Sequence, residues 1–249
     1  MIVTVKNSAE IERMKKAGQI VRDVLLLAEE KIHAGMTTKF LDSIIRDFIE
    51  RHGATPSFLN YRGYPASACI SLDDEVVHGI PSEKRFIEEG QIVSVDVGAC
   101  LNGYHGDAAR TFCIGQVSPE KRELVKVTEE CFFKAFGELR DGVRLGDIGA
   151  AVSEHAVRHG YGVVREMVGH GIGRNMHEPP DVPNYGVRGK GLRLTAGNTI
   201  AIEPMINLGS HKIKFMPDGW TVKTEDGKPS AHYENTVVIT ADGGLILTL

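Results

Sequence analysis

Gly169-His170-Gly171-Ile172 in the second half of the chain and Val77-His78-Gly79-Ile80 in the first share the tripeptide His-Gly-Ile. Each is followed by two carboxylates, Asp96 and Asp107 after the first and Glu203 and Glu234 after the second. The intervals are 18 and 11 positions in the first half and 33 and 31 in the second, so the second half carries insertions of 15 and 20 residues. Working outward, apolar residues from Ser8 to Gly35 recur at helical spacing (Ile11, Met14, Ile20, Val21, Val24, Leu25), and a second helix after Thr37 ends near Gly53. Short β-like runs follow at 68–72, 92–97 and 109–114. The second half repeats the order, with helices from Pro119 to about Arg140 and Leu145 to about His159, then strands near 199–203, 211–215 and 233–240. Duplicated αα-then-βββ halves, about 1–115 and 116–249, predict a single α+β domain with helices on one side of a largely antiparallel sheet and a site between the halves.

Composition narrows the function. Of 249 residues, 42% are hydrophobic and 25% charged, so the chain has the makings of a packed core and no long disordered tract. A net charge of -4, from 33 acidic and 29 basic residues without a basic stripe, argues against nucleic acid as a partner. Cys69, Cys100, Cys113 and Cys131 form no C-x-x-C pair and read as free thiols. The stretch Met1 to Lys6 has no signal-peptide pattern, and no apolar run approaches the ~18 residues of a membrane span. A cytoplasmic, reducing setting without a membrane is expected.

Asp96 interrupts the strand-like run Ile92-Val93-Ser94-Val95-Asp96-Val97, Glu203 ends Ile200-Ala201-Ile202, and Glu234 precedes Thr236-Val237-Val238-Ile239. An ionised carboxylate in a strand that packs into a core costs several kcal/mol unless a cation meets it. An isolated acid would pair with an arginine or cap a turn, but Arg110 is the only basic residue inside those segments. His105-Gly106-Asp107 adds another acid and His170 an imidazole, so divalent metal becomes the better reading. Four carboxylates balance two divalent cations, and ligation rich in oxygen points to Mn, Fe or Co, with Zn also admissible. In two-metal sites the ions lie ~3.5–4 Å apart and activate water toward amides or phosphates.

Other patterns carry less. Gly169 to Gly173 is followed by no Lys-Ser/Thr, and neither G-x-S-x-G nor H-E-x-x-H occurs. His33, His52, His155, His159 and His211 sit in charged segments and read as solvated. His78 and His177 adjoin turn residues that can present a side chain to a pocket, although turn histidines also occur without function. Tyr61, Tyr64 and Trp220 stand either in the core or in a pocket wall.

With Val77-His78-Gly79-Ile80-Pro81, Val95-Asp96-Val97, Gly106-Asp107, Val168 to Gly173, Ile202-Glu203-Pro204 and His232-Tyr233-Glu234 in register, the chain resembles the methionine aminopeptidases, and its length resembles the short type I bacterial form. The resemblance implies the duplicated pita-bread fold, a curved antiparallel sheet covered by helices, acting as one catalytic domain. It also implies release of the initiator methionine from nascent polypeptide N-termini, at the ribosome or away from it, where the second residue is small. Carried over by position, Asp96 would bind one metal, Asp107 and Glu234 would bridge, and His170 and Glu203 would complete the second, with Glu203 also handling the nucleophile's proton. His177 would hydrogen-bond the scissile carbonyl and His78 the substrate amide nitrogen. Phe58, Tyr61, Tyr64, Cys69, Met176 and Trp220 would form the methionine pocket. The chain departs from the family pattern at Met176, where many bacterial members have Phe, at Phe58, where some have Cys, and at Gly98, where several have Thr. The family is often monomeric, and a monomer is expected here. Two alternatives share the fold, an Xaa-Pro peptidase and a non-catalytic binding protein.

Overall fold

A computed structural model of the chain describes residues 3–249, so Met1 and Ile2 of the N-terminal stretch lie outside the described residues. Asn7 accepts from the Glu10 N–H while the Glu10 carboxylate accepts from the Asn7 N–H, a reciprocal cap that starts α1 (Ser8–Lys31). Thr37 caps α2 (Thr38–Arg51), and Ser118 with proline at the first helical position starts α3 (Pro119–Phe136). With α4 (Leu145–Arg158), the two expected helix pairs are present. The third helix stops at Phe136 instead of about Arg140, with Gly137 as its C-cap.

Three antiparallel strands pack together, β1 (Cys69–Leu72), β2 (Ile92–Leu101) and β3 (Tyr104–Cys113), with Asp96 on β2 and Asp107 on β3. The runs expected at 92–97 and 109–114 are parts of one long hairpin, paired from Ile92↔Cys113 to Leu101↔Tyr104. Its turn is Asn102-Gly103, with φ of 51° and 77°, the left-handed pair that two-residue hairpins require. Along β2 the side chains alternate. Val93, Val95, Val97 and Ala99 are fully buried against Val21, Val24, Leu41 and Ile45 of α1 and α2, which leaves Ser94, Asp96 and Gly98 on the opposite face. Gly106 admits helix, not ligand: a Cβ there would lie 2.8 Å from the Gly18 nitrogen of α1.

The second half supplies β4 (Gly169–Gly171), β5 (Glu178–Val182), β6 (Thr199–Ile202), β7 (Met205–Asn207), β8 (Ser230–His232) and β9 (Asn235–Ile239). Strands β9, β6, β4 and β5 lie in that order in one antiparallel sheet. Ile200, Ile202, Val237 and Ile239 pack beneath Leu124, Phe132, Ile148 and Val152 of α3 and α4. The run expected at 211–215 is a short exposed strand, Ile213–Phe215. The architecture is the α+β arrangement of antiparallel sheets covered by four helices. Among the described residues no helix is long and apolar enough to cross a membrane.

The halves meet edge to edge. Ala109 and Glu234 exchange backbone hydrogen bonds at 3.0 and 3.3 Å. The Thr236 hydroxyl accepts from the Asp107 N–H and donates to the Asp107 carbonyl, both at 2.9 Å. This seam brings a carboxylate of each half to one place.

Candidate active site

Strand register decides where the acids converge. Gly98 pairs with Asp107 across β2 and β3, so Asp96, two residues before Gly98, shares its face with Asp107 on a diagonal. Asn235 pairs with Ile202, so Glu234 and Glu203, each one residue beyond that pair, adjoin at the same sheet end. His170 enters from β4, which is bonded to β6. Its Nδ1 donates to the Gly171 carbonyl at 2.8 Å, leaving an unprotonated Nε2 that lies 3.8 Å from Asp107 Oδ2 and 3.7 Å from Glu203 Oε1. Asp107, His170 and Glu234 offer ligand atoms that all lie within 4.8 Å of one another.

The fit to metal rests on what these acids lack. Asp96 Oδ1, Asp107 Oδ1 and Glu234 Oε1 are buried without a hydrogen-bond partner. Arg110, the one base on those strands, does not neutralise them, because its guanidinium donates to the Ala109 and Glu234 carbonyls and to Asn235 Oδ1. Burial pushes all four carboxyl groups up, Asp107 to about 7, and mutual repulsion pushes Asp96, Glu203 and Glu234 further. Burial pushes the His170 imidazole down to about 4, which keeps it neutral and able to ligate. A cluster that suppresses its own charge and presents orphaned oxygens beside a neutral imidazole is suited to divalent cations.

Above this cluster opens a cavity of about 160 Å³. The five candidate ligands line it together with His78, His177 and the six expected wall residues Phe58, Tyr61, Tyr64, Cys69, Met176 and Trp220. The aromatics are thus wall, and Tyr64 is also core, 1% exposed, with its hydroxyl shared between the Ala68 and Gly79 carbonyls. Trp220 meets the rings of Tyr64 and His78 edge-on, at 5.0 and 6.1 Å between centroids. His78 has φ of 61°, a left-handed backbone uncommon outside glycine, and this turns its ring into the cavity. His177 Nδ1 pairs with the Tyr61 hydroxyl at 2.9 Å, and its ring centroid lies 4.0 Å from that of His170. Desolvation, with the nearby His170 and Arg62, pushes His177 down to about 3. It therefore stands at the cavity as a neutral imidazole.

Two residues at the site were given no role from the sequence. Arg62, in a tight turn with φ of 50°, lines the cavity mouth. His232 is 1% exposed, has no hydrogen bond at either ring nitrogen, and places Nε2 3.7 Å from Glu203 Oε2 and from Glu234 Oε2. Its burial pushes it down to about 3. The available signal was its spacing, two residues before Glu234, which puts both side chains on one face of an extended chain.

Residues 12–241 match the model of metallopeptidase family M24. The chain is 51% identical over 248 residues to the methionine aminopeptidase of Clostridium acetobutylicum, covering 100% of this chain and 99% of that one. It superimposes on the crystal structure of methionine aminopeptidase from Rickettsia prowazekii with a TM-score of 0.98, at 38% identity and complete coverage of both chains. Prolidase from Pyrococcus furiosus is more distant, with a TM-score of 0.80 and 26% identity over 98% of this chain and 65% of that one. With the pita-bread fold shared and the buried acids and imidazole in place, the chain belongs to metallopeptidase family M24 and, within it, to the methionine aminopeptidases.

Proposed function

We propose that the protein releases N-terminal methionine from nascent proteins and peptides whose second residue is small, using two divalent cations of the Mn, Fe or Co class, with Zn also admissible. The observation that carries this reading is the stacking of a sulfur-lined and aromatic pocket (Met176, Cys69, Phe58, Trp220) directly on four acids, three of which, Asp96, Asp107 and Glu234, have a buried orphaned oxygen. Thioether and aromatic walls suit an unbranched methionine side chain. Asp96 and Asp107 from about residues 1–115, and His170, Glu203 and Glu234 from about residues 116–249, would hold the ions, so the halves act as one catalytic domain. When bound, the ions lower the pKa of water and polarise the scissile carbonyl.

The remaining work falls to side chains of this protein. The apolar walls seat the methionine side chain and exclude water around it. His177, a neutral donor oriented by Tyr61, hydrogen-bonds the carbonyl oxygen as charge develops on it. His78, held by its left-handed backbone, faces the amide nitrogen of the substrate. Glu203 takes the proton from the attacking water at a carboxylate oxygen and passes it to the departing amine. Cytoplasmic action on nascent chains by a monomer, without nucleic acid or membrane, completes the reading.

The test is methionine release from a Met-Gly-X peptide by metal-stripped protein given Mn, Co, Fe or Zn in turn, beside an Ala-Pro peptide. Release of methionine that returns with metal and is lost in Glu203→Gln and His170→Ala supports the reading. Stoichiometric metal binding without methionine release overturns it.

A further inference from the structure

His155 and His159 belong to the charged segments read as solvated, yet His155 is only 9% exposed and is not solvated. The two histidines stand four residues apart at the end of α4, so both rings leave the same helical face, with centroids 4.9 Å apart. That face abuts α3. Glu130 of α3 places Oε2 2.8 Å from His155 Nε2, and Glu123, two turns earlier, places Oε1 4.0 Å from His159 Nδ1. One ligand atom from each of Glu130, His155 and His159 lies within 4.8 Å of the other two. Lys126 touches only the outward oxygens, Glu123 Oε2 at 3.9 Å and Glu130 Oε1 at 3.7 Å. The inward oxygens are those that face the imidazoles.

We propose that Glu130, His155 and His159, with Glu123 at its edge, form a divalent transition-metal site that clips α3 to α4, separate from the catalytic cluster. Two imidazoles with carboxylates suit zinc, copper, nickel or cobalt better than magnesium or calcium, which take oxygen ligands almost throughout. Three protein ligands with a fourth near at hand make up the usual tetrahedral zinc complement once water or Glu123 joins. The cluster is open to ions, since the Glu130 and His159 side chains are 36% and 34% exposed. Its net charge also calls for a cation, as two carboxylates face one lysine. On binding, His155 Nε2, the donor to the Glu130 carboxylate, exchanges that hydrogen bond for a bond to the ion, and its proton passes to Nδ1 as the neutral imidazole changes tautomer. The clip would tie together helices that already pack through Phe132 and Val152.

The experiment is zinc titration of the full chain with its catalytic site saturated by cobalt, read as bound zinc per chain and as affinity. Wild type is expected to take up one more zinc than His159→Ala, and both His159→Ala and Glu130→Gln to weaken that site at least tenfold. Peptidase activity in both variants stays within twofold of wild type. Proton NMR of the wild-type chain gives a readout independent of folding in the variants: paramagnetic Co(II) added beyond catalytic saturation shifts the ring resonances of His155 and His159. Equal zinc stoichiometry and affinity in wild type and His159→Ala, or histidine resonances untouched by added Co(II), overturns the proposal.

Discussion

Replacing Gly98 by alanine tests how the methionine pocket is built. Gly98 lies on the site face of β2, two residues from Asp96 and opposite Asp107. A Cβ there would stand 2.9 Å from Phe58 Cε1 and 2.9 Å from Ser57 Cβ, well inside the ~3.5–4 Å of ordinary carbon contact. Ser57 is pinned, since its N–H donates to the Gly98 carbonyl at 2.9 Å and its hydroxyl pairs with His105 Nδ1 at 2.8 Å. Phe58 must therefore give way, and it packs with Tyr64, Cys69 and Met176 in the pocket wall. Overpacking of this kind costs about 1–3 kcal/mol. Borne by side-chain binding, that predicts a rise in KM for a Met-Gly-X peptide of roughly 5- to 150-fold, with kcat changing less. Trimming the ring in the same chain, Gly98→Ala with Phe58→Cys, removes the Phe58 contact and leaves only the approach to Ser57, so a double-mutant cycle on KM should show coupling of about 1 kcal/mol or more. Phe58 and Gly98 would then be one exchange of volume. A wild-type KM in Gly98→Ala, or losses that simply add in the double variant, would refute this.

Two further outcomes follow from burial and charge. Metal-stripped protein should lose stability as pH rises from 6.5 to 8, because carboxyl groups whose folded pKa is raised, Asp107 to about 7, bind more protons folded than unfolded in that window. His170, His177 and His232, shifted down in the fold, oppose this trend only while their unfolded forms finish losing protons just above 6.5, each carboxyl still protonated in the fold contributes up to about 1.4 kcal/mol of loss per pH unit, and saturating Mn should flatten the profile in urea melts. Lys6→Met should cost about 3–5 kcal/mol, because Lys6 Nζ and Glu178 Oε2 form a 2.7 Å pair with both side chains 6% exposed. Lys6→Met combined with Glu178→Gln should recover part of that loss in the same melt, and a double variant no more stable than Lys6→Met would contradict a charge-pair origin.

Much of the fold was legible because periodicity reports burial. Apolar residues in 92–97 marked a strand, and only the fold put Asp96 on the face away from Val93, Val95 and Val97. The helix pairs were legible from apolar spacing, and the structure adds the caps Asn7, Thr37 and Ser118. The Asn102-Gly103 turn carried its own signal, and reading it would have joined two runs into one hairpin. Short strands such as Gly169–Gly171 were not legible, since three residues with two glycines have no period to read.

The sequence by itself determined which residues could ligate, which segments were strand or helix, and that the acids outnumbered their possible partners. A carboxylate in an apolar run needs a cation wherever the run folds, so that inference depends on local chemistry alone. Only the tertiary structure decided that Arg110 spends its donors on backbone carbonyls and the Asn235 amide, that His232 faces Glu203 and Glu234, and that Phe58 occupies the space above Gly98. It also decided that His155 meets Glu130 across two helices. Each of these is a contact between residues distant in the chain, set by strand register and helix packing, and no local pattern encodes which of many solvated or buried partners a side chain will reach.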